Sequence, residues 1–133
     1  MNWYTAQALM ATAKDRSKGK PIGNNTRLWE NYRKTGTGAK YSITLHGNEI
    51  VRIYRDGNEY SHAGWQTRTT KERLNNCMAN HYVYQRNWVW YVNNGWENDH
   101  YEFVNGMFIS RDGTLYESVE QYKRGNPMMK VIA

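Results

Sequence analysis

Five short turn signals constrain this chain more than any other feature: Gly47-Asn48, Asp56-Gly57, Asn94-Gly95, Asn105-Gly106 and Asp112-Gly113. Two-residue hairpin loops need backbone angles with positive φ, which Gly, Asn and Asp tolerate, and their twist matches that of the flanking strands. A chain punctuated in this way folds into antiparallel hairpins.

The first two signals lie in Tyr41 to Ala63 and predict a three-stranded meander. A loop at 47 and 48 opposes His46 to Glu49, Leu45 to Ile50 and Thr44 to Val51; a loop at 56 and 57 opposes Ile53 to Tyr60, Arg52 to Ser61 and Val51 to His62. Side chains alternate between faces, so one face carries Ser42, Thr44, His46, Glu49, Val51, Ile53, Tyr60 and His62. The other carries Tyr41, Ile43, Leu45, Ile50, Arg52, Tyr54, Glu59 and Ser61. Neither alternates cleanly, so the sheet is either covered on both sides or exposes a mixed site. The aromatic run His81 to Val92 favours strand, and the last three turn signals predict a second meander through Ser118.

Helices flank these strands. Trp3, Ala6, Leu9, Met10 and Ala13 recur at helical spacing up to Lys14. Thr69 and Glu72 have the spacing of a capping box, which starts a second helix near Thr70 and carries it to about Asn80. Asp15 to Gly23 and Lys34 to Ala39 read as loops, Arg27 to Arg33 as a strand, and Asn24-Asn25 as a turn. The fold class is therefore α+β, with antiparallel meanders packed against two short helices. The 133 residues suit a single domain, in which 120–133 form a peripheral tail that docks through Met128, Met129, Val131 and Ile132.

The aliphatic residues are sparse, but six Trp and eleven Tyr supply apolar area and suit stacking on bases. A net charge of +6 and a pI near 9.5 favour acidic partners, nucleic acid first and an anionic protein surface second. The single cysteine, Cys77, suits a reducing compartment, here the cytosol, and reads as a small core residue. No apolar run is long enough for a membrane span. Neither a metal-ligand pattern nor a nucleotide loop is present, and no cofactor is expected.

Chemistry concentrates in Ser61 to Leu74. Lys71 and Arg73 fall in the first turn of the expected helix, where the dipole disfavours cations unless an anion is bound. With the hydroxyls of Thr67, Thr69 and Thr70 they compose a phosphate site; an ordinary basic surface helix is the competing reading. Lys20, Asn24, Asn25 and Thr26 can add contacts to phosphate or base edges, although paired Asn also simply make turns. Trp65 is either a stacking residue or a core anchor at a strand-to-helix junction. Three functions use these residues. One is binding of RNA, single-stranded DNA or a phosphate-bearing ligand. Another is metal-independent RNA cleavage, with His46 as base and Lys71 and Arg73 on the phosphate. The third is inhibition of another protein through exposed aromatics and arginines. For His46 the competing reading is a strand-end residue bonded to Glu49.

The order Asn24-Asn25-Thr26, Leu45-His46, Val51, Asp56-Gly57, Gly64-Trp65, Thr67, Thr69-Thr70-Lys71, Arg73 and, later, Asn105-Gly106-Met107 resembles small proteins encoded by bacteriophages and prophages. The likeness spans roughly residues 16 to 74 and a short piece near 106. It implies a phage origin and no particular reaction, and with it action inside a host cell, where an inhibitor would bind a host defence or nucleic-acid-processing protein. Those proteins carry small residues before Gly-Trp, where this chain has His62 and Ala63. That departure argues against His62 as a catalytic group and leaves His46.

Overall fold

The computed structural model describes residues 1–32, 38–95 and 97–131. The architecture is α+β, with ten antiparallel strands in two sheets and three short helices among the described residues. Helix α1 (Trp3–Ala11) is capped by Asn2, whose side chain accepts from the Thr5 N–H at 2.8 Å. The expected loop from Asp15 to Gly23 instead contains a single 3-10 turn at Arg16–Lys18 and strand β1 (Lys20–Gly23). Asn24 and Asn25 then turn the chain into β2 (Thr26–Glu30), with Asn25 at φ 52°. Most of the expected loop from Lys34 to Ala39, and the end of the expected strand at Arg33, lie outside the described residues.

Strands β3 (Tyr41–Leu45), β4 (Asn48–Ile53) and β5 (Gly57–Tyr60) form the expected meander, but in a different register. The first loop is His46-Gly47, one residue earlier than expected, with φ 51° and 81°. Pairing then jumps from Thr44↔Glu49 to Ile43↔Val51, which leaves Ile50 as the extra residue of a β-bulge. The second hairpin pairs Val51 with Tyr60 and Ile53 with Asn58, two residues from the expected register. A slip of two keeps each side chain on its face, whereas the bulge reverses the faces beyond it.

The bulge accounts for the mixed alternation in the sequence. Tyr41 and Ile43 now share a face with Val51, Ile53 and Tyr60, all nearly inaccessible to solvent. Trp3, Ala6 and Met10 of α1 close over that core, with Trp3 edge-on to Tyr41 at 5.1 Å. The opposite face is polar: Glu49 accepts from the Ser42 hydroxyl at 2.9 Å and from Arg52 at 3.1 Å, and Arg52 reaches Glu59 at 3.7 Å.

Helix α2 (Arg68–Cys77) follows, then a separate three-stranded sheet of β6 (His81–Arg86), β7 (Val89–Asn94) and β8 (Asp99–Glu102). The expected second meander ends there. Strands β9 (Met107–Ser110) and β10 (Leu115–Tyr116) leave it and extend the first sheet, β9 pairing with β5. Gly57 permits this approach, because a Cβ there would lie within 3.0 Å of the Ile109 carbonyl oxygen and the Phe108 ring. The two Arg-Asp-Gly turns become neighbours: the Arg111 N–H donates to Asp56 O at 2.9 Å, and its guanidinium to Tyr54 O and Asn58 Oδ1.

The C-terminal segment is tied to this edge. Helix α3 (Val119–Lys123) packs Tyr122 against Phe108 and edge-on to Tyr116, and the Met128 N–H donates to Leu115 O at 2.8 Å. Met128 packs on the core while Met129 stays exposed; Ile132 is outside the described residues.

Candidate functional site

Where α2 begins decides the site, and it begins earlier than the Thr69–Glu72 spacing suggests. Ala63 and Gly64 take positive φ, and the Trp65 N–H donates to His62 O at 2.8 Å, so the chain is extended again by Thr67. Thr67 is the cap: its hydroxyl accepts from the Thr70 N–H at 3.2 Å and pairs with the Thr70 hydroxyl at 2.9 Å. Thr69 is already inside the helix, and Glu72 pairs with Arg68 at 3.4 Å rather than reaching back. Arg68 and Lys71 therefore occupy the start of the helix, and Arg73 lies beyond the first turn. The amides of Arg68 and Thr69 have no partner among the described residues, as expected at a helix N-terminus.

This N-terminus opens into a cleft of about 500 Å³ lined by His46, Asn48, His62, Trp65, Thr67 and Thr69, with Leu45, Ile50 and Thr70 at its floor. The bulge residue Ile50 thus gives the cleft an apolar base. Trp65 is 60% exposed, so it is a rim residue and not a core anchor. His46 sits in the β3–β4 turn and its N–H donates to Asn25 O at 2.8 Å, which fixes the exposed Asn24-Asn25 turn beside it. The expected contact of His46 with Glu49 is not made, because the Glu49 carboxylate is turned to Ser42 and Arg52 on the other face.

His62, set aside on the sequence, lines the same cleft as His46. Its Nδ1 accepts from the Gly64 N–H at 2.9 Å, which fixes the proton of the neutral ring on Nε2, beside the Gln66 amide. The ring packs against Trp90 and Phe103 at 5.6 and 6.0 Å. Burial among them lowers its pKa from the ordinary value and favours the neutral ring.

The remaining expected residues lie elsewhere. Lys71 reaches Gln85 at 3.2 Å and stands 5.7 Å over the Trp90 ring, toward the second sheet. Arg73 and Lys20 line a different cavity, together with the buried Thr26, whose hydroxyl donates to Asn24 O. The cluster expected from spacing thus divides into a cleft of His46, Trp65, Thr67, Thr69 and Thr70, a flanking Lys71, and a separate pair of cations. A further residue escaped notice: Trp88, at the tip of the β6–β7 hairpin, is 89% exposed with φ 68°. Its signal was Asn87, an Asn in a two-residue spacer between strand-forming residues. Among the described residues no three of His, Cys, Asp or Glu gather to hold a metal ion, and no helix is long and apolar enough to cross a membrane.

A protein-family model described as Kyanoviridae Gp96 protein matches residues 1–110. The chain belongs to this family. It is a phage protein, and the matched part runs from α1 to the end of β9, so it contains the whole cleft and the Arg73 cavity. Helix α3 and the C-terminal segment lie beyond it. Neither curated proteins nor solved structures offer a match.

Proposed function

We propose that this member of the Gp96 family binds single-stranded nucleic acid, RNA or single-stranded DNA, in the cytosol of the phage's host. The observation that carries the reading is Trp65, a large aromatic held at the rim of a cleft that ends on a helix N-terminus. Its exposed ring offers a base a stacking surface, and stacking tolerates any sequence. The free amides of Arg68 and Thr69 and the threonine hydroxyls supply donors for a phosphate on the same strand. Asn24, Asn25 and Asn48 border this end of the sheet and can meet base edges, while Lys71 extends the positive field. Single strands fit better than duplex because a base must leave its stack to reach Trp65.

The test is retention of labelled single-stranded RNA and DNA across a salt series. Binding that weakens steeply from 50 to 200 mM salt, as expected for phosphate contacts, supports the reading. Absence of binding to either strand at the lowest salt overturns it.

One observation favours a second reading, metal-independent RNA cleavage: two histidines share the cleft. In that chemistry one histidine takes the 2′-hydroxyl proton as the oxygen attacks phosphorus, and the other protonates the departing 5′-oxygen. The Gly64 N–H occupies the Nδ1 lone pair of His62, so His46 keeps the expected role of base and the His62 Nε2–H is the donor on the side of the departing oxygen, the pair taking the place of His46 with Lys71 and Arg73. Cleavage of RNA in chelator, abolished in both His46→Ala and His62→Ala, is the expected result. Cleavage that persists in either variant removes the assignment.

A further inference from the structure

Arg73 presents an unusual electrostatic situation. Its Nε–H is buried and without a hydrogen-bond partner, the one side-chain polar atom in that condition among the described residues. Its guanidinium carbon and Nη1 lie against Gly23, 3.7 Å from where a Cβ would stand. No carboxylate pairs with it among the described residues. Leaving a charged donor buried and unsatisfied costs more than an ordinary lost hydrogen bond, so the arrangement is poised for an acceptor that arrives from outside.

The cavity beside it meets that need. It encloses about 420 Å³ and is bounded by Lys20, Pro21 and Ile22 of β1, Leu9 of α1, Ile43 of β3 and Asn76 of α2. No acidic residue lines it. Lys20 supplies a second cation and Asn76 an amide, while Leu9, Pro21, Ile22 and Ile43 make the rest apolar. Two cations in the wall of a largely apolar space suit a doubly charged anion attached to a less polar body.

We propose that this cavity binds a terminal phosphate, the phosphate of a phosphomonoester, with Arg73 and Lys20 as its anion-holding residues. The site is distinct from the Trp65 cleft and stands on its own observations. A terminal phosphate has two sources, a free phosphomonoester such as a nucleoside monophosphate, or the 5′-phosphorylated end of a strand.

Calorimetric titration of the intact chain with inorganic phosphate, with adenosine monophosphate, and with matched oligonucleotides bearing a 5′-phosphate or a 5′-hydroxyl tests the site. Saturable binding of adenosine monophosphate, weakened at least tenfold by both Arg73→Gln and Lys20→Met, is expected. Should Arg73→Gln fail to fold, Lys20→Met, at a half-buried strand position, carries the test alone. Tighter binding of the 5′-phosphorylated oligonucleotide, lost in Lys20→Met, supports the site with a strand end as the source; equal binding of the two oligonucleotides beside monophosphate binding that is lost in Lys20→Met supports it with the free ester. Lack of saturable binding by inorganic phosphate, monophosphate and 5′-phosphorylated strand overturns the proposal, as does binding unchanged in both variants. Arg73→Gln and Lys20→Met report on the cavity and Trp65→Ala on the cleft, so the two proposals fail separately.

Discussion

Replacing Trp65 by alanine separates a binding aromatic from a structural one. A core tryptophan removed to alanine destabilises a protein by about 3–5 kcal/mol. Trp65 is 60% exposed and its ring takes no part in the aromatic packing around His62, Trp90 and Phe103. Its loss falls under the rule for surface substitutions, within about 0.5 kcal/mol, and the melting temperature should move by no more than ~2 °C. A base stacked on it contributes about 1–3 kcal/mol, so affinity for a single strand should fall roughly 5- to 150-fold. The assay is fluorescence anisotropy of a labelled oligonucleotide at one fixed salt concentration, beside thermal melting of the same samples. Trp88→Ala is the comparison, because that residue is still more exposed but lies on the far hairpin. Affinity unchanged in Trp65→Ala refutes the argument, and so does a loss confined to Trp88→Ala, which would move the binding surface to the β6–β7 hairpin. A large fall in melting temperature would make Trp65 the core anchor after all.

Other perturbations test the frame around the cleft. Thr67→Ala removes the cap of α2 and should cost about 1 kcal/mol, a fall of ~2–6 °C in melting temperature, whereas Thr69→Ala should change little; equal effects would refute the cap assignment. Gly57→Ala drives a methyl into the Ile109 carbonyl and the Phe108 ring where β5 and β9 pair, and overpacking of this kind costs about 1–3 kcal/mol or more, to be read by denaturant titration; a neutral result would show that the strands can part without cost. Burial lowers the pKa of both His62 and His81, so as pH falls below the ordinary histidine value of about 6.5 the unfolded chain takes up protons first. Their contribution to stability is complete above that pH and is lost as pH falls through the folded values. Melting temperature should therefore decline between pH 7 and pH 5, and less steeply in His62→Asn; an unchanged slope in that variant would remove His62 from the account.

Much of the local structure follows from single residues and their neighbours. Asn25 and Gly47 mark chain reversals because few residues accept the positive φ a tight turn demands. Trp3, Ala6 and Met10 recur at the period of a helix face, and that face is buried. The α+β architecture and the first meander were legible for these reasons, and so was Cys77 as a core residue, its thiol pushed up to about 11 by burial. What could not be read is how far apart in space such features end up. The bulge at Ile50 depends on the competition between burying Tyr41 and Ile43 and keeping an unbroken ladder, a comparison made only when α1 arrives to cover one face. The cap moved from Thr69 to Thr67 because the turn at Ala63-Gly64 sets where the extended chain stops. Lys71 and Arg73 are two residues apart on a helix, hence on different sides of it, and the packing of α2 between the two sheets sent one to Gln85 and the other to the Arg73 cavity.

The sequence by itself therefore determined the turns, the helix periodicity and the stock of chemistry: aromatics, cations, threonines and two histidines within reach of one hairpin. Only the tertiary structure decided which of them meet. It gave His62 and His46 one cleft, put Trp65 on its rim, and withdrew Arg73 and Lys20 into a cavity of their own. The physical reason is that local angles and periodicity act over a few residues, whereas the return of β9 to β5 and the closure of α1 and α2 over the sheet follow from burial summed across the whole chain.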